Sequence, residues 1–313
     1  MDDLHALPKF RETISYLYVE HATVDQEALS IAIHDKTGRV PAPIASLAVL
    51  MLGPGTKITH AAIRTLADNN CLVIWCGEEN VRFYACGMGG TRGASGLLHQ
   101  ARLASDETLR LQVVKQMYWM RFGEMREDAL SVEQLRGMEG VRVRETYARL
   151  SRETGIEWRG RNYDRGDWGK ADGVNKALSC ANSCLYGLCH AAILSTGYSP
   201  GLGFIHIGKA LSFVYDIADL YKAELTIPVA FQIAAENPEN LERTVRLRCR
   251  DTFRDSKILQ RIVPDIQKVL GMPKEAEVVP IDSDPALPTD LWTPESEQSP
   301  VPDPYAHWAG EEA

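Results

Sequence analysis

Residues 81–100 read VRFYACGMGGTRGASGLLHQ, and the character of the chain changes inside them. VRFYAC (81–86) closes a series of strand-like segments, whereas from Leu97 onward apolar residues recur at helical spacing. The glycine-rich connector Gly87–Gly96 separates the two regimes. Going back from it, Gly77-Glu78-Glu79-Asn80 reads as a turn, CLVIWC (71–76) as a strand, and HAAIRTLADNN (60–70) as a short helix capped by Thr59. Ile44–Leu52 is a buried-strand candidate that Gly53-Pro54-Gly55 stops. Leu29, Ile31 and Ile33 alternate ahead of Asp35-Lys36-Thr37-Gly38, a hairpin signal. Residues 14–90 thus predict a small β-rich unit with one helix and no parallel βαβ series.

Going forward, Asp106–Phe122 places apolar residues at 109, 113, 117 and 120 on one helix face. Ser131 with Gln134 makes a capping-box start. Further helices are expected at 172–198, 211–222, 226–235 and 239–270. Seven of the sixteen prolines fall from Pro280 onward among scattered acids, which predicts an extended or disordered tail. The expected class is α+β, with units at 1–90 (β-rich), 91–272 (helical) and 273–313 (flexible acidic tail).

A chain of 313 residues, 45% hydrophobic and 24% charged, is long enough for a large core or two domains. The first dozen residues lack the basic-then-apolar order of a secretory signal. The nine-residue stretch Ile44–Leu52 is about half a bilayer span, so no membrane association is expected. Seven cysteines without a CxxC pair speak against a disulfide framework or a zinc ribbon, and for a reducing, cytoplasmic setting. The net charge of −8 is unevenly spread: Lys274–Ala313 holds ten acids and one base, a net of −9. Residues 1–273 therefore hold 33 bases against 32 acids, so basic patches for nucleic acid are compatible with an acidic total.

The connector follows a strand and precedes a helix, but it misses the GxGxxG spacing of a dinucleotide site and reads as a hinge. Cys180, Cys184 and Cys189, beside His190 on one expected helix, read as small core residues rather than zinc ligands. FIHIGKALSFVYDIADLY (204–221) carries more chemistry. His206 follows Gly201-Leu202-Gly203, and Asp216 and Asp219, three apart, share one helix face. That helix is otherwise apolar, so a carboxylate turned inward needs a partner; a divalent cation is one remedy, and a neutral imidazole can complete its site. The competing reading is an Asp pair that caps or salt-bridges within a helical bundle. Glu139 lies mid-helix between Gly137 and Gly140, whose cost of about 1 kcal/mol each suggests the close approach of another backbone or a ligand. Its alternative is a solvated Glu paired with Arg136 or Arg142. Glu, His and Asp donors with positions left for water and phosphate oxygens suit Mg²⁺ or Mn²⁺. WRGRNYDRGDWGK (158–170) and RTVRLRCRDTFR (243–254) suit a polyanion with stacked bases, or else a solvated helix face.

Six segments together resemble one family: MLGPGTKITHAAIRTLA (51–67), VRFYACG (81–87), QLRGMEGVRVR (134–144), YDRGDW (163–168), SCLYG (183–187) and GFIHIGKALSFVYDIADLYK (203–222). In this order, over about residues 10–270, they resemble the CRISPR-associated integrase ("Cas-one") family in its type I-E branch. The resemblance implies a β-sandwich-like N-terminal domain for dimerisation and DNA support, followed by a larger all-α catalytic domain. It implies a metal-dependent DNA endonuclease and integrase that inserts new spacers by 3′-hydroxyl attack on a phosphodiester. Glu139, His206 and Asp219 match the ligands of Mg²⁺ or Mn²⁺, and Asp216 matches a further required acid. Tyr186 matches a position near the active site, where it would place the phosphate or the leaving group. Lys209, Arg82, Tyr163 and Trp168 also match positions near DNA or the active site, and Arg64 and Arg110 are expected duplex contacts. Lys57 replaces an Arg, and His21 stands where relatives place a Tyr that wedges the fork of incoming DNA. The implied partners are double-stranded DNA (prespacer and CRISPR leader-repeat), a second copy of the chain, and a small ferredoxin-like second adaptation protein in a 4:2 assembly. The alternatives are a metal-dependent nuclease of branched or single-stranded DNA and a catalytically silent DNA-binding scaffold.

Overall fold

Strand β5 (Val49–Leu52) is apolar at every position, and each of its four residues is buried. An unbroken apolar run of this kind marks a strand covered on both faces. The computed structural model, which describes residues 16–28, 30–44, 47–69, 71–77, 83–87, 94–123, 130–161 and 172–271, shows what covers it. One sheet has the order β1 (Tyr16–Val19), β5, β7 (Leu72–Cys76), β8 (Phe83–Gly87). The other runs β4 (Gly38–Ala42), β3 (Ser30–Asp35), β2 (Thr23–Glu27), β6 (Lys57–Ile58). Val24 and Ile31 of the second sheet share a core with Leu50, Leu52 and Val73 of the first, and Ala62 and Leu66 of helix α1 (His60–Asp68) close it. Val49, Met51, Leu72, Ile74 and Cys76 point the other way and pack on Ala191 and Leu194 of the helical part.

The hairpin expected at 35–38 is present: Asp35 Oδ1 accepts from Thr37 N (2.7 Å), Thr37 Oγ1 (2.6 Å) and Gly38 N (3.1 Å). Thr59 caps α1, accepting from Ala62 N at 3.2 Å, also as expected. The expectation of no parallel crossover is corrected. β1, β5 and β7 are parallel, and α1 carries the chain from β5 to β7. A helical crossover is what lets consecutive strands run the same way. In that sheet β8, which leads into the connector, returns antiparallel.

The helices are α2 (Ser95–Ser105), α3 (Glu107–Phe122), α4 (Val132–Thr154), α5 (Gly173–Ser195), α6 (Ser212–Ala218), α7 (Thr226–Glu236), α8 (Leu241–Asp255) and α9 (Ile258–Leu270). The protein is thus mixed α+β, strands first and helices after. α4 begins at the capping box of Ser131 and Gln134. α5 has the length and apolarity of a membrane span, yet seventeen of its 23 residues are buried and it is the central helix. Cys180, Cys184 and Cys189 are buried within it, as core residues should be. Two expected helices are revised. The span 211–222 is helical only over α6, and the chain then turns. The span 239–270 breaks at Lys257, whose φ of +51° ends α8 and re-aims α9. Ile258, Ile262, Ile266 and Val269 of α9 are buried in a core with residues of α3, α5 and α6. The described residues all fall within one compact unit, Met1–Val278.

Candidate functional site

The loop 199–211, between α5 and α6, is tied down from three sides. Gln100 of α2 is fully buried; its Nε2 donates to the carbonyls of Ser199 and Leu202 (3.0 and 2.9 Å) and its Oε1 accepts from Ser199 N (2.7 Å). Arg110 of α3 donates through Nε and Nη2 to the Phe204 carbonyl at 2.9 and 2.8 Å. Gly203 permits the tight turn, because a Cβ there would collide with the His206 carbonyl and with Ser212.

The third tie is Asp216, wholly buried on α6. Its Oδ2 accepts from Phe204 N (2.6 Å) and Ile205 N (3.1 Å), and its Oδ1 from His206 N (2.9 Å) and His206 Nδ1 (2.7 Å). One of the two acids therefore does turn inward, and its partner is the loop rather than a cation. A carboxylate already surrounded by N–H donors fixes the imidazole with Nδ1–H inward. Nε2 is the nitrogen left for a ligand, on a ring whose side chain is 37% exposed. Metal-binding histidines are oriented in this way.

Asp219 follows α6 by one residue and Glu139 sits mid-α4; their side chains are 20% and 15% exposed. Arg121, in the last turn of α3, lies between them: Nη2 is 3.3 Å from Asp219 Oδ2 and Nη1 is 3.9 Å from Glu139 Oε1. Lys222 Nζ holds Asp219 Oδ1 at 2.6 Å, and Arg142 donates through Nε and Nη2 to Glu139 at 3.0 and 3.2 Å. Burial alone would raise the Asp219 carboxyl, but Lys222 and Arg121 outweigh it and hold the group below its ordinary 3.8. Burial likewise opposes the charge on Lys222, and Asp219 and Tyr186 more than restore it. The Tyr186 ring meets Tyr215 edge-on at 5.0 Å and lies 4.9 Å from Lys222 Nζ. Tyr215 in turn stands 5.8 Å from His206 and 5.9 Å from Lys209 Nζ.

The structure thus gathers Glu139, Asp219, Asp216, His206, Tyr186 and Lys209 from α4, α5, α6 and the loop. Sequence reasoning missed Arg121, Lys222 and Tyr215. Lys222, three residues beyond Asp219, was legible from spacing; Arg121 looked like an ordinary cation at a helix C-terminus. The alternative pairing of Glu139 with Arg142 is realised. The approach of another backbone expected at the α4 glycines is not. A Cβ at Gly137 would meet nothing within 4 Å, and one at Gly140 would meet only Arg144 Nη1 at 3.6 Å. In donor type the site fits a divalent cation: two carboxylates, an imidazole nitrogen, and a position that already attracts positive groups. Its carboxylate oxygens are presently held by Arg121, Arg142 and Lys222. Among the described residues no three His, Cys, Asp or Glu side chains are already drawn around one point.

Of the residues expected at DNA, Arg110 braces the loop through Phe204, as above. His21 lies exposed in the turn before β2, Lys57 is exposed on β6, and Arg64 of α1 is 3.8 Å from Asp68. These three belong to the strand-rich part and make none of the contacts of the cluster. Arg82, Tyr163 and Trp168 lie outside the described residues. On α8, Arg248, Arg250 and Arg254 pair with Glu236, Asp251 and Asp255, which is the solvated-face reading of that basic stretch.

Residues 122–242 match the family described as CRISPR associated protein Cas1. That span holds Glu139, Tyr186, His206, Asp216, Asp219 and Lys222, and begins one residue after Arg121. Over 298 residues the chain is 54% identical to the "CRISPR-associated endonuclease Cas1 2" of Thermus thermophilus, covering 94% of this chain and 91% of that one. It is 52% identical to the "CRISPR-associated endonuclease Cas1" of Geobacter sulfurreducens, over 83% of this chain and 86% of the relative. Among solved structures, a crystal structure of a TtCas1–DNA complex is 55% identical with a TM-score of 0.77, covering 84% of this chain and 99% of that one.

Proposed function

The chain belongs to the CRISPR-associated Cas1 family, and on that premise we propose that it is a divalent-metal-dependent DNA endonuclease and integrase. Its reaction is insertion of new spacer DNA into a CRISPR array by attack of a 3′-hydroxyl on a phosphodiester. The observation that supports the proposal is that Arg121 lies between Glu139 and Asp219, while Asp216, three residues before Asp219, holds His206 through Nδ1. The DNA bound to the TtCas1 structure supports a DNA substrate.

Glu139, Asp219 and His206 would hold Mg²⁺ or Mn²⁺, which supplies charge stabilisation at the reacting phosphate and lowers the pKa of a hydroxyl. Asp216 positions His206: with four donors on its two oxygens, it is the anchor of the loop and not a free base. Lys209, Lys222 and Arg121 provide fixed positive charge where a phosphodiester gains negative charge, and such preorganised charge is a main source of rate enhancement. Tyr186, beside Lys222, offers a hydroxyl to position the phosphate or the leaving group.

One site performs one transfer, and inserting a duplex needs two. We therefore expect a homodimer formed through the strand-rich part (1–90), the helical part (91–272) being catalytic. Two dimers would be bridged by the small ferredoxin-like second adaptation protein in a 4:2 assembly acting in the cytoplasm. Lys57, Arg64, His21 and Arg82 would support DNA from the first part, and Tyr163 and Trp168 from the second.

The test is an integration assay with this protein, its small partner, 3′-hydroxyl duplex, a supercoiled plasmid carrying the repeat array, and Mg²⁺ or Mn²⁺. Joined product that vanishes with EDTA, with His206→Ala, or with a 3′-blocked donor is the expected result. Cleavage without joining would favour a nuclease of branched or single-stranded DNA. DNA binding without any product would leave a scaffold.

A further inference from the structure

We propose that Arg121 is a resident counter-cation that a divalent ion must displace from Glu139 and Asp219, and that metal binding is therefore coupled to binding of a phosphodiester. The inference rests on the metal reading above and concerns what this chain does before the ion arrives.

Arg121 comes from α3, while the acids come from α4 and the segment after α6. Its side chain is 4% exposed, so it is built into the site and is no surface cation resting against it. Around it, Glu139 and Asp219 face Arg121, Arg142 and Lys222. Three cations thus already face two carboxylates. A divalent ion entering alone would add further positive charge in a partly buried place, where like charges repel strongly. A phosphodiester, with its own negative charge, offsets part of that excess.

The hold of Arg121 is also of a kind that can be given up. Its contacts with the two carboxylates, at 3.3 and 3.9 Å, are longer than those of a bidentate pair. Its Nε is buried without a hydrogen-bond partner, and Nη2 reaches the Asp216 carbonyl only at 3.4 Å. A buried guanidinium pushed off its acids needs another anion, and a nonbridging phosphate oxygen is one. Arg121 would then act as a positioning residue that exchanges carboxylate for phosphate as the metal enters. Linkage makes the coupling reciprocal: DNA tightens the metal by the factor by which the metal tightens DNA.

The full-length protein is titrated with Mn²⁺, alone and with a 3′-blocked duplex that cannot react. Free Mn²⁺ is read by electron paramagnetic resonance, and DNA binding separately by fluorescence anisotropy. In the wild type, the duplex should tighten Mn²⁺ by about tenfold or more, within the usual range of coupling between sites. Arg121→Met should bind Mn²⁺ more tightly than wild type in the absence of DNA and lose most of the coupling, while Arg121→Lys, which keeps the charge, should retain it. If Arg121→Met does not fold, Lys222→Gln should reduce the coupling in the same direction. Mn²⁺ affinity indifferent to DNA in the wild type, or unchanged or weakened without DNA in the charge-removing variants, overturns the proposal. If that happens while Glu139→Gln and Asp219→Asn still abolish Mn²⁺ binding, the metal reading stands and only the role of Arg121 falls. If no protein binds Mn²⁺ with or without DNA, both fall.

Discussion

Asp216 and His206 differ in what each would cost the protein. Asp216 is an acceptor for three backbone N–H groups and one imidazole, all in one turn of chain. Asp216→Asn should destabilise the fold by about 1.5–3 kcal/mol, the range for hydrogen bonds to a buried charge. It should also lower strand transfer by about 10–100-fold through loss of imidazole orientation. His206→Ala should abolish transfer and lower the urea midpoint less than Asp216→Asn does, since it removes one of the four donors to Asp216 and leaves the three backbone ones. Equilibrium unfolding alongside the integration assay separates the two effects. His190 makes a different prediction. Burial pushes its imidazole down to about 4 from 6.5, so the unfolded chain takes up a proton before the folded protein does. Stability should fall as pH drops from about 6.5 to about 4, and His190→Phe, which keeps a ring against Phe83, should flatten that slope. Asp219 acts lower: its folded carboxyl lies below 3.8, so its contribution is present above that value and is lost as pH falls through the folded one. Urea midpoints from pH 7 to 3 would show both windows.

Two glycines that look alike in the sequence should respond oppositely, because their elements differ. Gly137 lies inside α4 with nothing within 4 Å of a Cβ, so Gly137→Ala should raise stability by up to about 1 kcal/mol. At Gly203 a Cβ would stand 2.6 Å from Ser212 Cβ and also strike the His206 carbonyl. Gly203→Ala should cost about 1–3 kcal/mol and disturb the loop that carries His206. Thermal denaturation of the pair checks the opposed signs. Local signals of this kind were mostly legible: Thr59 and Ser131 each cap the helix that the sequence assigns them, while Asp106, read as the first residue of its helix, is its cap. The break between α8 and α9 was not. It rests on a left-handed backbone at Lys257, and a lysine carries no conformational signal of the kind glycine gives.

At the scale of the whole molecule, β5 and β7 are pressed between the second sheet and α5. Leu194, at the end of α5, packs on the outer face of that sheet. Leu194→Ala should therefore cost about 2–5 kcal/mol. Denaturant unfolding measures the loss, and near-wild-type Mn²⁺ binding in buffer would confirm that it is confined to the seam. The division into strands then helices, the caps and the acid-bearing segments were determined by the sequence, because periodicity and capping act over a few residues. Glu139, His206, Asp216 and Asp219 could be singled out for the same reason: each is a polar residue set in an apolar or glycine-broken pattern. What only the tertiary structure decided was the pairing. The parallel crossover of β1, β5 and β7 and Arg121 between two acids join residues far apart in the chain, and the loop wrapped around Asp216 joins residues beyond the reach of helix or strand periodicity. A local pattern reports which face of an element is apolar; it does not report which charge from a distant helix will be buried against it.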